Sequence, residues 1–429
     1  MPDALHPTVP VSALRVGMFI HLDLGWMDHP FPFGSFKVAS QQQIDTVRQL
    51  GLTQVRWDPA KSDLSTEADT PPPAREPAEA PPLSAEALAA QEAARQRAAD
   101  LAAQKQSLQQ CERRFAEGTR TYKHILESLG QSPEAARESS EQLVGNMVAQ
   151  LLSDQESAIR LVSEGLGDRA SLHAMNVTVL CLLLGKAMGL PQAQLQDLGV
   201  AALLHDMGKA ELPDRVRHRD DSFTAAHHKL YQEHVARGVS MGQKMGLPPL
   251  AMLTLSQHHE MADGSGFPTG CTAERMAPTS RILALINRYD GLCNPPNPLK
   301  ALTPHEALSL MFASQKQRFE ATALSAFIRM MGVYPPGSLA QLTDGRFALV
   351  VSVNSARPLK PRVLVHDPAV PMSEALLLDL QETPKLGIQR SLRADQLPRA
   401  ALEYLAPRHR VCYFFERAIQ ATDCLEAAA

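Results

Sequence analysis

Histidines and aspartates in this chain fall at spacings that could hold metal ions. Two adjacent histidines open the segment His258-His259-Glu260-Met261-Ala262-Asp263-Gly264-Ser265-Gly266-Phe267-Pro268. Upstream lies Leu203-Leu204-His205-Asp206-Met207-Gly208-Lys209. Paired imidazoles and His-Asp groups present nitrogen and carboxylate donors to cations at close quarters. Of fifteen histidines, eight lie between His173 and His259, namely these two with His205, His218, His227, His228, His234 and His258. The chemistry these residue types imply is metal-dependent hydrolysis.

His205-Asp206 ends the apolar run 200–204, which reads as a buried helix. An acid there is costly unless it is paired or metal-bound. Lys209, one turn on, shares a helix face with Asp206. A cation beside a metal site suits a phosphate oxygen. A plain buried ion pair between Asp206 and Lys209 is the other reading, and the spacing leaves both open. His258-His259 closes the apolar helix 250–255. Adjacent helical residues point about 100° apart, so the two imidazoles are expected on two metals side by side. Two such cations suit phosphodiester hydrolysis, clamping the attacking and leaving oxygens about one bridging hydroxide. Imidazole and carboxylate donors suit iron, manganese or zinc. His227 and His228 read as solvated, His218 as part of a polar loop, and His305 as a helix start; none is expected to be a ligand.

The elements that must position these groups follow from composition and period. At 429 residues and 44% hydrophobic content, two or three domains with real cores are expected. Acidic residues (46) outnumber basic ones (42), a net charge of −4, which disfavours a broad DNA- or RNA-tracking surface. Six cysteines without a C-x-x-C pair fit a reducing compartment. No signal peptide is visible, and the apolar stretch 177–184 is too short to cross a bilayer, so a soluble cytoplasmic protein is expected.

The fold expected is mainly α. Residues 1–63 read as a small α/β module, with a strand-like run at 11–22, a helix at 41–50 ended by Gly51, and a closing strand at 55–57. Residues 64–83 are a Pro/Ala-rich linker. Residues 84–131 read as a helical spacer whose alanine-rich side packs weakly and permits a homodimer. Residues 132–332 show helical periodicity in nearly every segment and form the all-α body. Residues 333–429 read as a β-containing C-terminal extension, with strand candidates at 347–353 and 363–365.

His205-Asp206 with Lys209, His234 with Gly238 four residues later, His258-His259-Glu260, and Asp263-Gly264-Ser265-Gly266-Phe267-Pro268 together resemble the HD-GYP branch of the HD metal-dependent phosphohydrolases. The likeness spans about residues 173–300. The module 9–63, with Trp26-Met27-Asp28-His29-Pro30-Phe31-Pro32-Phe33, looks like the small domain that often precedes HD-GYP domains. The resemblance implies an all-α HD-GYP domain that hydrolyses cyclic di-GMP to pGpG and often onward to GMP. It implies a two- or three-metal centre of iron or manganese. Carried over by position, the metal ligands are His173, His205, Asp206, His234, His258 and His259, with Asn287 at a further ligand position. Asp206 bridges the metals, and Lys209 contacts the scissile phosphate. Arg219 takes the place of a family lysine, and with Asp290 and Lys300 it is expected near the substrate. Gly266-Phe267-Pro268 stands where the family has Gly-Tyr-Pro, a loop linked to diguanylate cyclase (GGDEF) partners. Phenylalanine keeps the ring and loses the phenolic hydroxyl.

Three departures qualify the resemblance. Asn287 replaces an aspartate ligand, and an amide oxygen coordinates without bringing charge. Arg169 stands where three-metal members carry a glutamate, and a cation there repels a third metal, so two metals are expected. Cys293-Asn294-Pro295-Pro296-Asn297-Pro298 replaces the family's Arg-Pro-Tyr stretch. A catalytically weak or inactive receptor for the dinucleotide, or for a cyclase partner, is therefore the alternative reading. An HD hydrolase of another nucleotide is a third, disfavoured by the Asp-Gly-Ser-Gly-Phe-Pro segment. If Asn287 limits metal occupancy, Asn287→Asp raises the metal bound per chain in elemental analysis of anaerobically purified protein. A variant matching the parent removes Asn287 as a cause of weak activity.

Overall fold

The computed structural model describes residues 7–24, 29, 31, 33–63, 84–153, 156–218 and 222–418. It divides into two units, Met1–Ala85 and Glu86–Ala429. In the first unit, strands β1 (Thr8–Pro10), β2 (Phe19–His21) and β3 (Ser35–Lys37) precede helix α1 (Gln41–Gln49) and strand β4 (Gln54–Asp58). The sheet is antiparallel, in the order β1-β4-β2-β3. Ser40 caps α1 by accepting from the Gln43 amide. Ile44 and Val47, three apart on α1, are buried in a small core with Ile20, Val38 and Val55. The expected run 11–22 is split: residues Val11–Ala13 form a 3-10 turn, and only β2 pairs. Most of the Trp26–Phe33 motif lies outside the described residues, as does the linker 64–83.

The second unit opens with α2 (Ala85–Ser128) and α3 (Pro133–Ser153), then strand β5 (Ser157–Val162). Next come α4 (Arg169–Ala187), α5 (Gln192–Leu204), α6 (Asp214–Arg217), α7 (Ala225–Met245) and α8 (Pro249–Ser256). Helices α9 (Pro278–Cys293), α10 (Pro304–Ser314) and α11 (Ala321–Met331) complete the helical body. Strands β6 (Leu339–Leu342), β7 (Phe347–Asn354), β8 (Arg362–Val365), β9 (Leu378–Asp379) and β10 (Ile388–Leu392) follow, then α12 (Arg399–Leu405) and β11 (Cys412–Arg417).

The centre of the body is α4. From Ala174 to Gly185 every residue is buried, which makes this long apolar helix a core element with α5 and α9 against it. The spacer helix packs better than its alanines suggest. Its first turns are exposed, but Cys111, Phe115, Tyr122 and Ile125 enter the main core. Each such buried side chain contributes roughly 1.5–3 kcal/mol by leaving water.

One expectation is overturned at 157–162. That segment is not helical; it is strand β5, buried at all six positions between β7 and β11. Ile159 and Val162 are β-branched and fit a pleated core surface. Arg160 is buried with them and pairs with Glu416 on β11 at 3.2 Å. The C-terminal strands are therefore joined to the helical body through β5, in the antiparallel order β10-β6-β7-β5-β11, with β8 paired to β7 and β9 to β8.

A backbone contact fixes how the two halves of the sequence motif meet. After α5 the chain makes the short turn Met207–Glu211, which lies directly on α7. A Cβ at Gly208 would stand 2.0 Å from the His234 carbonyl oxygen and 2.5 Å from the Gly238 amide nitrogen. Only glycine lets the turn approach this closely. Gly208→Ala is expected to destabilise the protein by about 3 kcal/mol or more. The measurement is the urea midpoint at unchanged slope.

Candidate metal centre

The candidate ligands sit near a helix start or just past a helix end, apart from His234, which lies within α7. His173 is four residues into α4 and His234 nine into α7. His205 follows the last residue of α5, and His258 and His259 follow α8. His205 Nδ1 donates to Ala202 O at 2.7 Å, His234 Nδ1 to Tyr231 O at 2.6 Å, and His258 Nδ1 to Leu255 O at 2.6 Å. In every case the acceptor is the carbonyl three residues back. His173 Nδ1 donates instead to Asp290 Oδ2 at 2.5 Å. These bonds place the proton on Nδ1 and leave an Nε2 lone pair on each neutral ring.

The lone pairs converge. His173 Nε2 and His205 Nε2 are 3.1 Å apart, and His234 Nε2 and His258 Nε2 are 3.2 Å apart. Two lone pairs at that distance repel unless a cation lies between them. Asp206 stands among them. Its Oδ2 is 3.6 Å from His173 Nε2 and 3.5 Å from His205 Nε2, while Oδ1 is 3.6 Å from His234 Nε2 and 4.0 Å from His258 Nε2. Donors bonded to one cation at about 2.1 Å stand about 3–3.5 Å apart, so the spacing suits metal ligation. Asp206 Oδ1 and His259 Nε2 are buried without a hydrogen-bond partner. The donors form two groups, His173-His205-Asp206 and Asp206-His234-His258-His259, with donor atoms within 4.8 Å of one another in each. The set fits divalent cations that take imidazole and carboxylate.

The expectation that His258 and His259 serve different metals is corrected by this grouping. Helix α8 stops at Ser256, so both histidines lie beyond it and escape the angular separation of a helix. Their ring centroids are 4.2 Å apart and both belong to the second group.

Burial governs the electrostatics. It lowers His205 to about 4 and His234 and His258 to about 3, with neighbouring imidazoles adding to the effect and Asp206 opposing it. His259 is lowered by burial and by His258 and His234. Burial opposes the charge of Asp206, but Lys209 and the surrounding histidines outweigh it and hold the carboxyl well below its usual range. Burial likewise opposes the Lys209 charge, and Asp206 outweighs it. Lys209 Nζ is 2.6 Å from Asp206 Oδ2 and lies 5.1 Å from the centre of the Tyr231 ring. The ion pair that the spacing allowed is therefore present, inside the donor cluster.

The shell behind His173 was not legible in the sequence. Asp290, expected near substrate, is buried and has another part. Besides His173 it accepts from Asn176 and from Asn294 Nδ2 at 2.9 Å, so it orients an imidazole. Both asparagines also grip the start of β11. Asn176 Nδ2 and Asn294 Nδ2 donate to Val411 O at 3.1 and 2.9 Å. Val411 N donates to Asn294 Oδ1 at 2.8 Å, and Tyr413 N to Asn176 Oδ1 at 2.7 Å. The signals available were Asn176 one turn after His173 and Asn294 one turn after Asp290; nothing local pointed to Val411.

The segment after His259 folds back onto it. Phe267 N donates to His259 O at 3.1 Å, and the Phe267 ring stacks on the His259 ring at 4.5 Å. A Cβ at Gly266 would stand 2.4 Å from Met261 N and 2.5 Å from His259 O. Glu260, fully buried, holds the loop by accepting from Thr269 N and Oγ1 at 2.7 Å and Cys271 N at 3.1 Å. Phe267 thus faces the donor cluster, while Pro268 is exposed.

A cavity of about 990 Å³ opens over the cluster, lined by His173, Asp206, Lys209, His259 and Phe267. Asn287 lines it one turn before Asp290. His218 and His228, which were not expected at the site, line it as well, whereas His227 caps α7 with Thr224. Lys300 is exposed and is not among the lining residues. Arg219 lies outside the described residues.

A family model described as HD domain matches residues 141–323, and one described as a domain of unknown function matches residues 7–139. The cyclic di-GMP phosphodiesterase PA4108 of Pseudomonas aeruginosa is 29% identical over 362 residues, covering 83% of this chain and 84% of its own length. The cyclic di-GMP phosphodiesterase PdeB of Borreliella burgdorferi is 22% identical over 192 residues, 45% of this chain and 51% of that protein. The solved structure of Bd1817, a HDG"Y"P protein from Bdellovibrio bacteriovorus, covers 75% of this chain and 98% of its own at 14% identity and a TM-score of 0.40. Residues 141–323 are an HD domain, the fold of a class of divalent-metal phosphohydrolases. The relatives are named as cyclic di-GMP phosphodiesterases, and the HD-domain match covers the segment that carries the histidine and aspartate donors.

The lowered imidazoles set a pH dependence for the metal-stripped protein. Unfolded, these histidines titrate near 6.5; folded, they stay neutral down to about 4 for His205 and about 3 for His234 and His258. Below pH 6.5 the unfolded chain takes up protons that the folded chain refuses, so stability falls as pH drops from about 6.5 toward 3. Melting temperatures across that range check the slope, and substituting His234 should flatten it.

Proposed function

We propose that this protein hydrolyses cyclic di-GMP, to pGpG, GMP or both, at a dinuclear iron or manganese centre. The observation that carries the reading is the pair of donor groups sharing Asp206 at the floor of a cavity that also holds Lys209. His173 and His205 with Asp206 Oδ2 would hold one cation, and His234, His258 and His259 with Asp206 Oδ1 the other. When bound, two divalent cations supply Lewis acidity and a water nucleophile at neutral pH. The rest belongs to the chain. Asp290 keeps the His173 lone pair aimed inward, and Phe267 braces the His259 ring. Lys209 places its ammonium beside Asp206, where it neutralises charge on the scissile phosphate. A cavity near 1,000 Å³ suits a ligand of dinucleotide size. The names of the relatives support the substrate.

The exposed edge at Pro268, beside the inward-turned Phe267, is the surface this reading leaves for a diguanylate cyclase (GGDEF) partner. Asn287 on the cavity wall favours a second reading, a receptor that binds the dinucleotide and turns it over weakly.

Metal-loaded protein incubated with cyclic di-GMP under reducing conditions should yield pGpG or GMP on chromatography. Replacing His205 and Asp206 together by alanine should remove both bound metal and product, a loss of at least about 10³-fold in rate. A parent protein that carries metal and binds the dinucleotide without product favours the receptor.

A further inference from the structure

We propose that Arg169 and Arg410 form a second phosphate subsite in the catalytic cavity, apart from the phosphate held at Lys209. The proposal rests on the reading of the substrate as a cyclic dinucleotide, which carries two phosphates.

Both arginines line the cavity that contains His173, Asp206 and Lys209. Arg169 is the first residue of α4, one turn before His173. A cation at that end opposes the helix dipole, so local helix energetics give no reason for it. Both side chains are partly buried. Burial, and then the charge of Arg410, hold Arg169 below the usual guanidinium range. The two groups therefore lie within electrostatic reach of each other, inside one cavity.

The acids beside them in the sequence do not neutralise them. Asp168 caps α4, accepting from Ser171 N and Ser171 Oγ at 2.9 Å. Glu164 accepts from the backbone amides of His409 at 3.3 Å and Arg410 at 2.7 Å. The cavity carboxylates are also committed, Asp206 among the donors and Asp290 to His173 and two asparagines. Among the described residues, neither guanidinium has an ion-pair or hydrogen-bond partner. Two unneutralised guanidiniums facing one space are a site for an anion, and their planar forks match phosphate oxygens.

Arg410 is also held firmly. Glu164 grips its amide, and the next residue, Val411, is bonded to Asn176 and Asn294 in the shell behind His173. The position of Arg410 relative to the donor cluster is thus set by hydrogen bonds. A ligand spanning Lys209 and this pair would be clamped at two points, as a two-phosphate ring requires. A ligand with one phosphate would use Lys209 alone.

The test measures selectivity on the metal-loaded full chain. Cyclic di-GMP and 3′,3′-cGAMP supply two phosphates, and bis(p-nitrophenyl) phosphate supplies one. Arg410→Gln and Arg169→Gln should each lower the ratio of kcat/KM for two-phosphate over one-phosphate substrates about tenfold, chiefly through KM. Arg410→Lys should fall between parent and glutamine, because it keeps the charge and loses the fork. Melting curves identify a variant that fails to fold, and Arg410→Gln then decides alone, since its backbone anchors remain. An unmoved ratio, whether both activities drop together or neither does, overturns the subsite while the phosphodiesterase reading stands. A parent that leaves both cyclic dinucleotides intact overturns the reading and the subsite with it.

Discussion

Electron pairs turned toward one another are the constraint on which this structure depends. Helix carbonyls and one carboxylate take the Nδ1 protons of four histidines, and the Nε2 lone pairs are then forced into a common space. Such a cluster is stable only with positive charge inside it. In the chain alone Lys209 supplies part of that charge, at 2.6 Å from Asp206. Burial keeps the rings neutral, which suits cations and disfavours protons. The site is thus prepared for metal by the same helices that bury it.

Much of the site was legible because metal ligation demands particular residue types. His173, His205, Asp206, His234, His258 and His259 converge as the motif implied. The His258-His259 pair departs from the sequence expectation because helical geometry ends with α8 at Ser256. The family resemblance places Asp290 near the substrate, while its use as a hydrogen-bond acceptor needs three dimensions. Asn176 and Asn294 carry no type-specific signal, and their partner Val411 is 235 and 117 residues away in sequence. Backbone acceptors at such separations leave no pattern along a chain.

The fold shows the same division. Long periodic segments such as α4, α5 and α7 were visible as helices, and strands β7 and β8 as alternating runs. Strand β5 was not, because six residues between long helices are too few to set a period. What makes it a strand is the pairing with β7 and β11, formed from residues nearly two hundred or more positions later. The alanine-rich face of α2 suggested little packing, yet its second half is held by the core through Phe115, Tyr122 and Ile125.

The stitch at Val411 has a consequence for the order in which the molecule can come into being. The ribosome delivers His173, His205, His234 and His259 long before it delivers residue 411. Until that last strand threads beside β5, Asn176 and Asn294 lack the backbone that steadies them, and Asp290 has no fixed stance toward His173. A nascent chain therefore carries an unfinished centre until residue 411 and the strand that follows it have emerged.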